Sequence, residues 1–364
     1  RIPHPASRIS DLLEKYCSTL TNKQTRFMAN LTTQYMGLNL RNPVIVGASN
    51  LVTDLGNVKR MEEEGAAAIV YKSLFEEQIE LERLQLSEEL NQYNDRHAEM
   101  ISLFPDLEHA GPTEHLHRLR TVVESVKIPV IASLNCIADE TWVEYAKLIE
   151  QTGVNGIELN LYAVPGDFKR EGKAMINEQL DIIAHVKQHL KIPVSVKLSP
   201  YYTNLLNVVQ QMYYAGVDGF VIFNRLFQPD IDVEKVEHHF PYNLSNEFDN
   251  RLPLRFVGLL YGEIRGSICA NTGIFNGHDV IKMILAGADC VQVVSTLYKN
   301  GIGQISHILK SMDEWMEAKG YSTLEQFRGK LSRKEMKDPF AYKRAQYVDI
   351  LMKSEEIFKL YPVR

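Results

Sequence analysis

Five apolar, β-branched runs in this chain each stop on a residue that can do chemistry: Val70-Tyr71-Lys72-Ser73, Ile157-Glu158-Leu159-Asn160, Val194-Ser195-Val196-Lys197, Val221-Ile222-Phe223-Asn224 and Ile268-Cys269-Ala270-Asn271-Thr272. An ammonium group is a compact fixed charge, and a carboxamide both donates and accepts hydrogen bonds. Lysines and amides converging on one place therefore suit an anionic, carbonyl-rich ligand. The elements that would bring them together are strands buried on both faces, which read as near-continuous Val/Ile/Leu runs. In an α/β protein built as a (β/α)8 TIM barrel, the C-terminal ends of such strands gather at one mouth.

Placing strands on this pattern gives eight, at 43–49, 67–73, 129–135, 156–162, 193–199, 219–225, 266–272 and 290–296. One pattern recurs before four of them: Gly65-Ala66-Ala67, Gly153-Val154-Asn155, Gly216-Val217-Asp218 and Gly287-Ala288-Asp289. Each follows a helical stretch, so the glycine is expected to close a helix in a left-handed conformation. Lys127-Ile128-Pro129-Val130 and Lys191-Ile192-Pro193-Val194 mark two strand starts, where proline is harmless. Apolar residues spaced three and four apart predict helices over 141–151 and 179–190. The intervals 74–128 and 226–265 are too long for simple helices; such insertions, after strands 2 and 6, are expected to cover or line the mouth. The barrel is expected over 28–320, with a charged helical tail over 321–364 packing on the outside of the barrel or on a partner. Residues 1–27 read as an N-terminal extension ahead of Met28, holding at most a short amphipathic helix near Ile9 to Leu20.

The 364 residues, 45% of them hydrophobic, are enough for one full core. A formal charge of −6 without any Lys/Arg run argues against a nucleic-acid surface, and no apolar stretch approaches the ~20 residues that span a bilayer. The expectation is a soluble, cytoplasmic protein. Cys17, Cys136, Cys269 and Cys290 form no Cys-x-x-Cys pair and read as small core residues. His115-Leu116-His117 and His238-His239 lack a metal-binding helical pattern, so no metal is expected. Serine-hydrolase, P-loop and Rossmann signatures are absent.

Taken together, Gly37-Leu38-x-Leu40-x-Asn42-Pro43, Gly47-Ala48-Ser49, Tyr71-Lys72-Ser73, Glu158-Leu159-Asn160-Leu161, Val196-Lys197-Leu198-Ser199-Pro200 and Thr272-Gly273-Ile274 followed by Gly277 resemble the flavin-binding dihydroorotate dehydrogenase family. Lys319-Gly320-Tyr321 and Phe327-x-Gly329-Lys330-Leu331 look like the close of its soluble class. The resemblance runs colinearly over about residues 35 to 332. It implies FMN across the barrel mouth, hydride transfer from dihydroorotate to flavin N5 in pyrimidine biosynthesis, and a homodimer. Carried over position by position, it implies Ala48 and Ser49 against the isoalloxazine, and Lys72 and Ser73 reaching both flavin and substrate, with Lys72 also in a catalytic role. Asn135 would contact the cofactor, Asn160 would face flavin and substrate together, and Asn224 would bind the substrate ring. Lys197 would lie beside the flavin N1/O2 edge, where a fixed ammonium stabilises the charge of reduced flavin.

Three places depart from the family. At the phosphate end Gly273 is retained, but a second glycine reads Thr272, and Val294-Ser295 replaces a Gly-Thr pair, leaving Ser295 and Thr296 to donate. An arginine of Arg251-Leu252-Pro253-Leu254-Arg255 is expected to replace lost amide donors. After Asn160-Leu161 the family carries a Cys or Ser base; this chain reads Tyr162-Ala163-Val164-Pro165-Gly166, about two residues shorter. Tyr162 is then the one proton-transferring side chain there, and a pKa near ~10 makes it a poor base at pH 7. The family's Asn-containing loop after strand 2 is unrecognisable, though Asn91, Asn94 and His97 lie in that stretch. The third departure is Arg225, which follows Asn224 in place of a small hydroxyl residue and either grips a substrate carboxylate or pairs outward. Two functions stay open: a working FMN oxidoreductase acting on dihydroorotate or another small carboxylated substrate, and a flavin-binding barrel kept as a binding or regulatory protein. The electron acceptor is not readable from the residues.

Overall fold

A short antiparallel hairpin, β1 (Thr33–Tyr35) and β2 (Leu38–Leu40), turns through Met36 and Gly37 and sends Tyr35, Met36 and Leu40 into the closed end of the barrel. The computed structural model describes residues 29–76, 112–135, 139–161, 168–225, 229–239, 244–343 and, apart from 354, 357 and 358, 345–359. The N-terminal extension, Cys17, Asn91, Asn94, His97, Cys136 and Tyr162 lie outside the described residues.

Beyond the hairpin come β3 (Val44–Val46), β4 (Ala68–Val70), β5 (Leu74–Phe75), β6 (Val130–Asn135), β7 (Gly156–Asn160), β8 (Val194–Leu198) and β9 (Gly219–Ile222). The second insertion adds a small antiparallel hairpin, β10 (Asp230–Asp232) and β11 (Glu237–His239), before β12 (Ser267–Ala270) and β13 (Cys290–Val293). Eight of these form a parallel barrel in the order β3-β4-β6-β7-β8-β9-β12-β13, closed by the pairing of β13 with β3, and the two-residue β5 adds beside β6 in the same sheet. The expected (β/α)8 TIM barrel is therefore present, with each strand inside its expected range and shorter than it. Strand 8 stops short of 296 because the chain leaves the ladder after Val293 and turns into a helix at Ser295.

The helices are α1 (Leu55–Glu63), α2 (Thr113–Ser125), α3 (Asp139–Glu150), α4 (Gly172–His189), α5 (Leu205–Tyr214), α6 (Arg251–Leu260), α7 (Gly277–Ala286), α8 (Ser295–Asn300), α9 (Gln304–Lys319) and α10 (Ala345–Met352). Their starts are written locally: Asp54 and Asn204 accept from backbone N–H groups three residues on, and Asn276 forms a reciprocal capping box with Asp279. Their ends follow the glycine pattern. Gly65, Gly153, Gly216 and Gly287 all have φ between 86° and 122°, the conformation that a side chain resists.

Strand alternation sorts side chains into two layers. Val44, Val46, Ile69, Tyr71, Ile157, Leu159, Val194, Val196 and Leu198 face the helices in the main core. Each such buried aliphatic side chain is worth about 1.5–3 kcal/mol. Ile45, Ala68, Val70, Ile131, Val221, Cys269 and Cys290 face inward and fill the lower barrel on the hairpin plug. The inward residues above them, Ser195, Glu158, Gln292 and Lys197, are polar although buried. The outward-inward alternation thus turns from apolar to polar on approaching the mouth.

Candidate active site

Register between β7 and β8 makes Asn160 and Lys197 direct neighbours at the strand ends. Asn224, just past β9, donates from Nδ2 to Asn160 Oδ1 at 3.0 Å. The ends of three consecutive strands thus present one ammonium and two linked amides. Lys197 is buried, and its Nζ lies 3.5 Å from Glu158 Oε1; Glu158 Oε2 accepts from Gln292 Nε2 at 2.6 Å. Lys197, Asn224, Ala48, Arg225, Thr272, Gly273 and Ser295 line one cleft of about 200 Å³, together with Ser245, Asn271 and Gln292. Seven of the expected site residues therefore converge.

Ser49 adjoins this cleft through Ala48, and its hydroxyl is buried without a hydrogen-bond partner among the described residues. Around the mouth, Ser73 Oγ lies 2.6 Å from Ser133 Oγ, and Asn135 ends β6 as the ladder partner of Phe75. Lys72, half-buried, follows β4. Beside it, His115 in the first turn of α2 packs edge-on against Tyr71 at 5.3 Å. Burial, then the charges of Lys72 and Arg118, pull the imidazole down to about 4, so it is neutral at pH 7. Thr296 takes a different path: its side chain is fully buried, donating to Phe275 O at 3.2 Å and accepting from Asn300 Nδ2. Its hydroxyl is thereby spent inside the helical layer.

The far end of the cleft is built around Ser245. Its hydroxyl accepts from Gly273 N at 3.3 Å, and its N–H donates to Ser295 Oγ at 2.9 Å. Lys299 Nζ binds the Ser245 carbonyl at 2.9 Å. Gly273 has φ +74°, and a Cβ there would lie 2.4 Å from Asn250 N, so no larger residue fits. Thr272 also holds a positive φ, 77°, unusual for a β-branched residue; its N–H bonds Asn271 Oδ1 and its hydroxyl bonds Phe223 O. The arginines expected to assist here do otherwise. Arg255 Nη2 points to Tyr342 O at 3.4 Å, and the Arg251 guanidinium sits over the Phe248 ring, because 251–260 is a helix rather than a loop laid along Gly273.

Arg225 joins its two readings: Nη1 pairs with Asp249 Oδ2 at 2.6 Å while the residue still lines the cleft and an adjoining hollow of about 410 Å³ bordered by Tyr201, Phe248 and Arg251. Sequence reasoning assigned no role to Glu158, Gln292 or Ser245. Glu158 had a usable signal, since it stands two residues before Asn160 and so shares its face. Among the described residues, no group of three or more His, Cys, Asp or Glu side chains is placed to hold a metal, and no helix is long and apolar enough to cross a membrane.

The family model described as dihydroorotate dehydrogenase matches residues 30–316. The chain is 28% identical over 308 residues to the dihydroorotate dehydrogenase B (NAD(+)) catalytic subunit of Thermoplasma volcanium, covering 83% of this chain and 98% of that protein. It is 27% identical over 311 residues to the same-named subunit of Methanocaldococcus jannaschii, covering 82% and 97%. With dihydroorotate dehydrogenase A (fumarate) of Lactobacillus delbrueckii subsp. bulgaricus it shares 26% over 226 residues, 60% of this chain and 72% of that one. With a closed parallel barrel, polar strand ends gathered at one mouth and a family match spanning most of its length, the chain belongs to the dihydroorotate dehydrogenase family, whose members are oxidoreductases acting on CH–CH bonds.

Proposed function

We propose that the chain binds one FMN across the barrel mouth and exchanges hydride with a small carboxylated substrate, dihydroorotate being the default by family. The observation that carries this reading is the buried Lys197 beside the linked amides of Asn160 and Asn224. The donor set fits the group. Lys197 supplies a fixed positive charge, the Ser49 hydroxyl has no hydrogen-bond partner among the described residues, and the Ser295 hydroxyl lines the cleft beside Gly273. When bound, FMN supplies the hydride-accepting ring. Ala48 and Ser49 would lie against it, Lys72, Ser73 and Asn135 would border it, and Thr272, Gly273 and Ser295, with Ser245, would hold the phosphate; Thr296 would stiffen that segment. Asn160, Asn224 and Lys72 would orient the substrate. Arg225, anchored by Asp249, would bind its carboxylate.

Proton removal is the weak step. Tyr162 is the sole proton-transferring side chain in the shortened 162–166 segment, and loss of a positioned base is typically worth roughly 10²–10⁴-fold. Dihydroorotate turnover is therefore expected well below the usual enzyme scale of about 1–10³ s⁻¹, and if Tyr162 has been recruited as the base, Tyr162→Phe should abolish what remains while leaving FMN bound. Arg225 favours the second reading, a different small carboxylated substrate, because it changes both the volume and the charge of the cleft. The relatives' names divide between NAD(+) and fumarate as acceptor, so the acceptor stays open. A soluble cytoplasmic homodimer is the assembly proposed. Purified protein without flavin absorbance that takes up no added FMN would refute the cofactor; flavin bleaching by dihydroorotate under anaerobic conditions, followed by steady-state assay, tests the substrate; light scattering tests the dimer.

A further inference from the structure

Glu158 is fully buried inside the barrel. Its two carboxylate oxygens are used differently. Oε2 accepts a 2.6 Å hydrogen bond from Gln292 Nε2, which reaches across the barrel from β13. Oε1 faces Lys197 Nζ at 3.5 Å without a hydrogen bond closing on it. Room for the Gln292 arm depends on Gly47: a Cβ there would stand 3.3 Å from Gln292 Oε1 and 2.8 Å from Val294 Cγ2. The carboxylate is thus clamped on one side and offers its charge on the other.

A buried ammonium without a counter-charge is costly to hold in place, and the side chain swings toward water where it can. Among the described residues Lys197 has one carboxylate within ion-pair distance, and it lies below the ammonium, away from the cleft that Lys197 lines. Resting on the FMN reading above, we propose that Glu158, clamped by Gln292, is a positioning residue that holds the Lys197 ammonium in place and aims it into the cleft, so that the charge presented to the reduced flavin is set from inside the barrel. Glu158 touches neither cofactor nor substrate in this assignment; it acts through Lys197.

The test is a double-mutant cycle of Glu158→Gln and Lys197→Met on the full chain, read three ways: FMN affinity, midpoint potential of the bound flavin, and thermal midpoint of the apoprotein. Glu158→Gln should weaken FMN roughly tenfold or more, as loss of a charge-assisted contact does, and make the potential more negative. Lys197→Met should do the same, and the double variant should be no worse than Lys197→Met alone. In the apoprotein each single change leaves a buried charge unpaired and lowers the thermal midpoint, while the double change recovers most of it. Gln292→Met keeps roughly the volume and removes the clamp; although Gln292 also lines the cleft, it should shift affinity and potential in the same direction by less and add nothing in the Lys197→Met background, and it carries the test if Glu158→Gln does not fold. Additive losses, or an unchanged potential in Glu158→Gln or Gln292→Met, would overturn the positioning role while leaving FMN binding intact. A wild-type chain that takes up no FMN overturns the cofactor reading and this role together, and the apoprotein cycle separates that outcome from a simple absence of coupling.

Discussion

Asn160, Asn224 and Lys197 matter because each is fixed before any ligand arrives: one by ladder register, one by an amide–amide bond, one by a buried carboxylate. Preorganised donors do not have to be reoriented at the moment of reaction, which is where their advantage over water lies. Ser49 is the sharpest single-residue probe of that idea. A buried hydroxyl without a partner is a liability in the empty protein, whereas a ligand atom that satisfies it recovers about 0.5–1.5 kcal/mol. Ser49→Ala is therefore expected to leave the apoprotein as stable or slightly more so, while weakening FMN by roughly threefold to tenfold. Titration of both proteins with FMN, beside their thermal midpoints, checks the pair of outcomes; a drop in apoprotein stability with unchanged affinity would place Ser49 in the fold and not in the site.

At the scale of elements, the cleft depends on how two segments cross. Gly273, past the end of β12, lies against the turn at Glu247–Asn250 that leads into α6, and Asn250 Nδ2 ties the two by bonding the Gly273 carbonyl and Asp279. Glycine serves here for two reasons, left-handed φ and backbone contact, while Gly320 at the end of α9 has φ +73° with nothing within 4 Å of a Cβ. The two positions should respond differently to the same change. Gly320→Ala costs only the left-handed conformation, about 1–2 kcal/mol. Gly273→Ala must also displace Asn250 and should cost roughly 3 kcal/mol or more, with loss of FMN uptake. Equal destabilisation in denaturant melts would show that the crossing is slack.

For the whole molecule, the closed end of the barrel is held by the chain that follows α9. Leu324 and Phe327 enter the core, Gly329 and Leu331 donate backbone N–H groups to Ile284 and Leu285, and Arg328 spans Asp289, Glu325 and Thr33. Burial raises the Asp289 carboxyl to about 6, with the Arg328 guanidinium and the Ile268 N–H opposing the rise. A folded-state pKa above the unfolded one means that the native protein holds this proton more tightly. Its contribution to stability is then fully present below about pH 4 and is lost as pH rises through about 6. Asp289→Asn should flatten that component, so thermal midpoints of wild type and variant should diverge between pH 4 and about 6 and run parallel above it; parallel curves throughout would remove Asp289 as the titrating group. Arg328→Met, which takes away the opposing charge, should move the window to higher pH.

The barrel was legible in the sequence because its signals are local. Strands buried on both faces must be apolar and β-branched, helix ends that turn back must carry glycine, and strand ends that bear chemistry must switch to Lys or Asn. Each of these is set within a few residues of where it is read, as at Gly216-Val217-Asp218 or Val196-Lys197. Even Arg225 and the missing base after Asn160 could be seen as departures from a known order of residues. What the sequence did not contain is which side chains meet across the barrel. Gln292 reaches Glu158 over 134 positions, Ser245 sits between Gly273 and Ser295, Arg255 turns away from the cleft to Tyr342, and Thr296 turns inward. These contacts arise from closure: once β13 pairs with β3, the stagger of the strands fixes which inward residues share a level, and no spacing along the chain encodes that level.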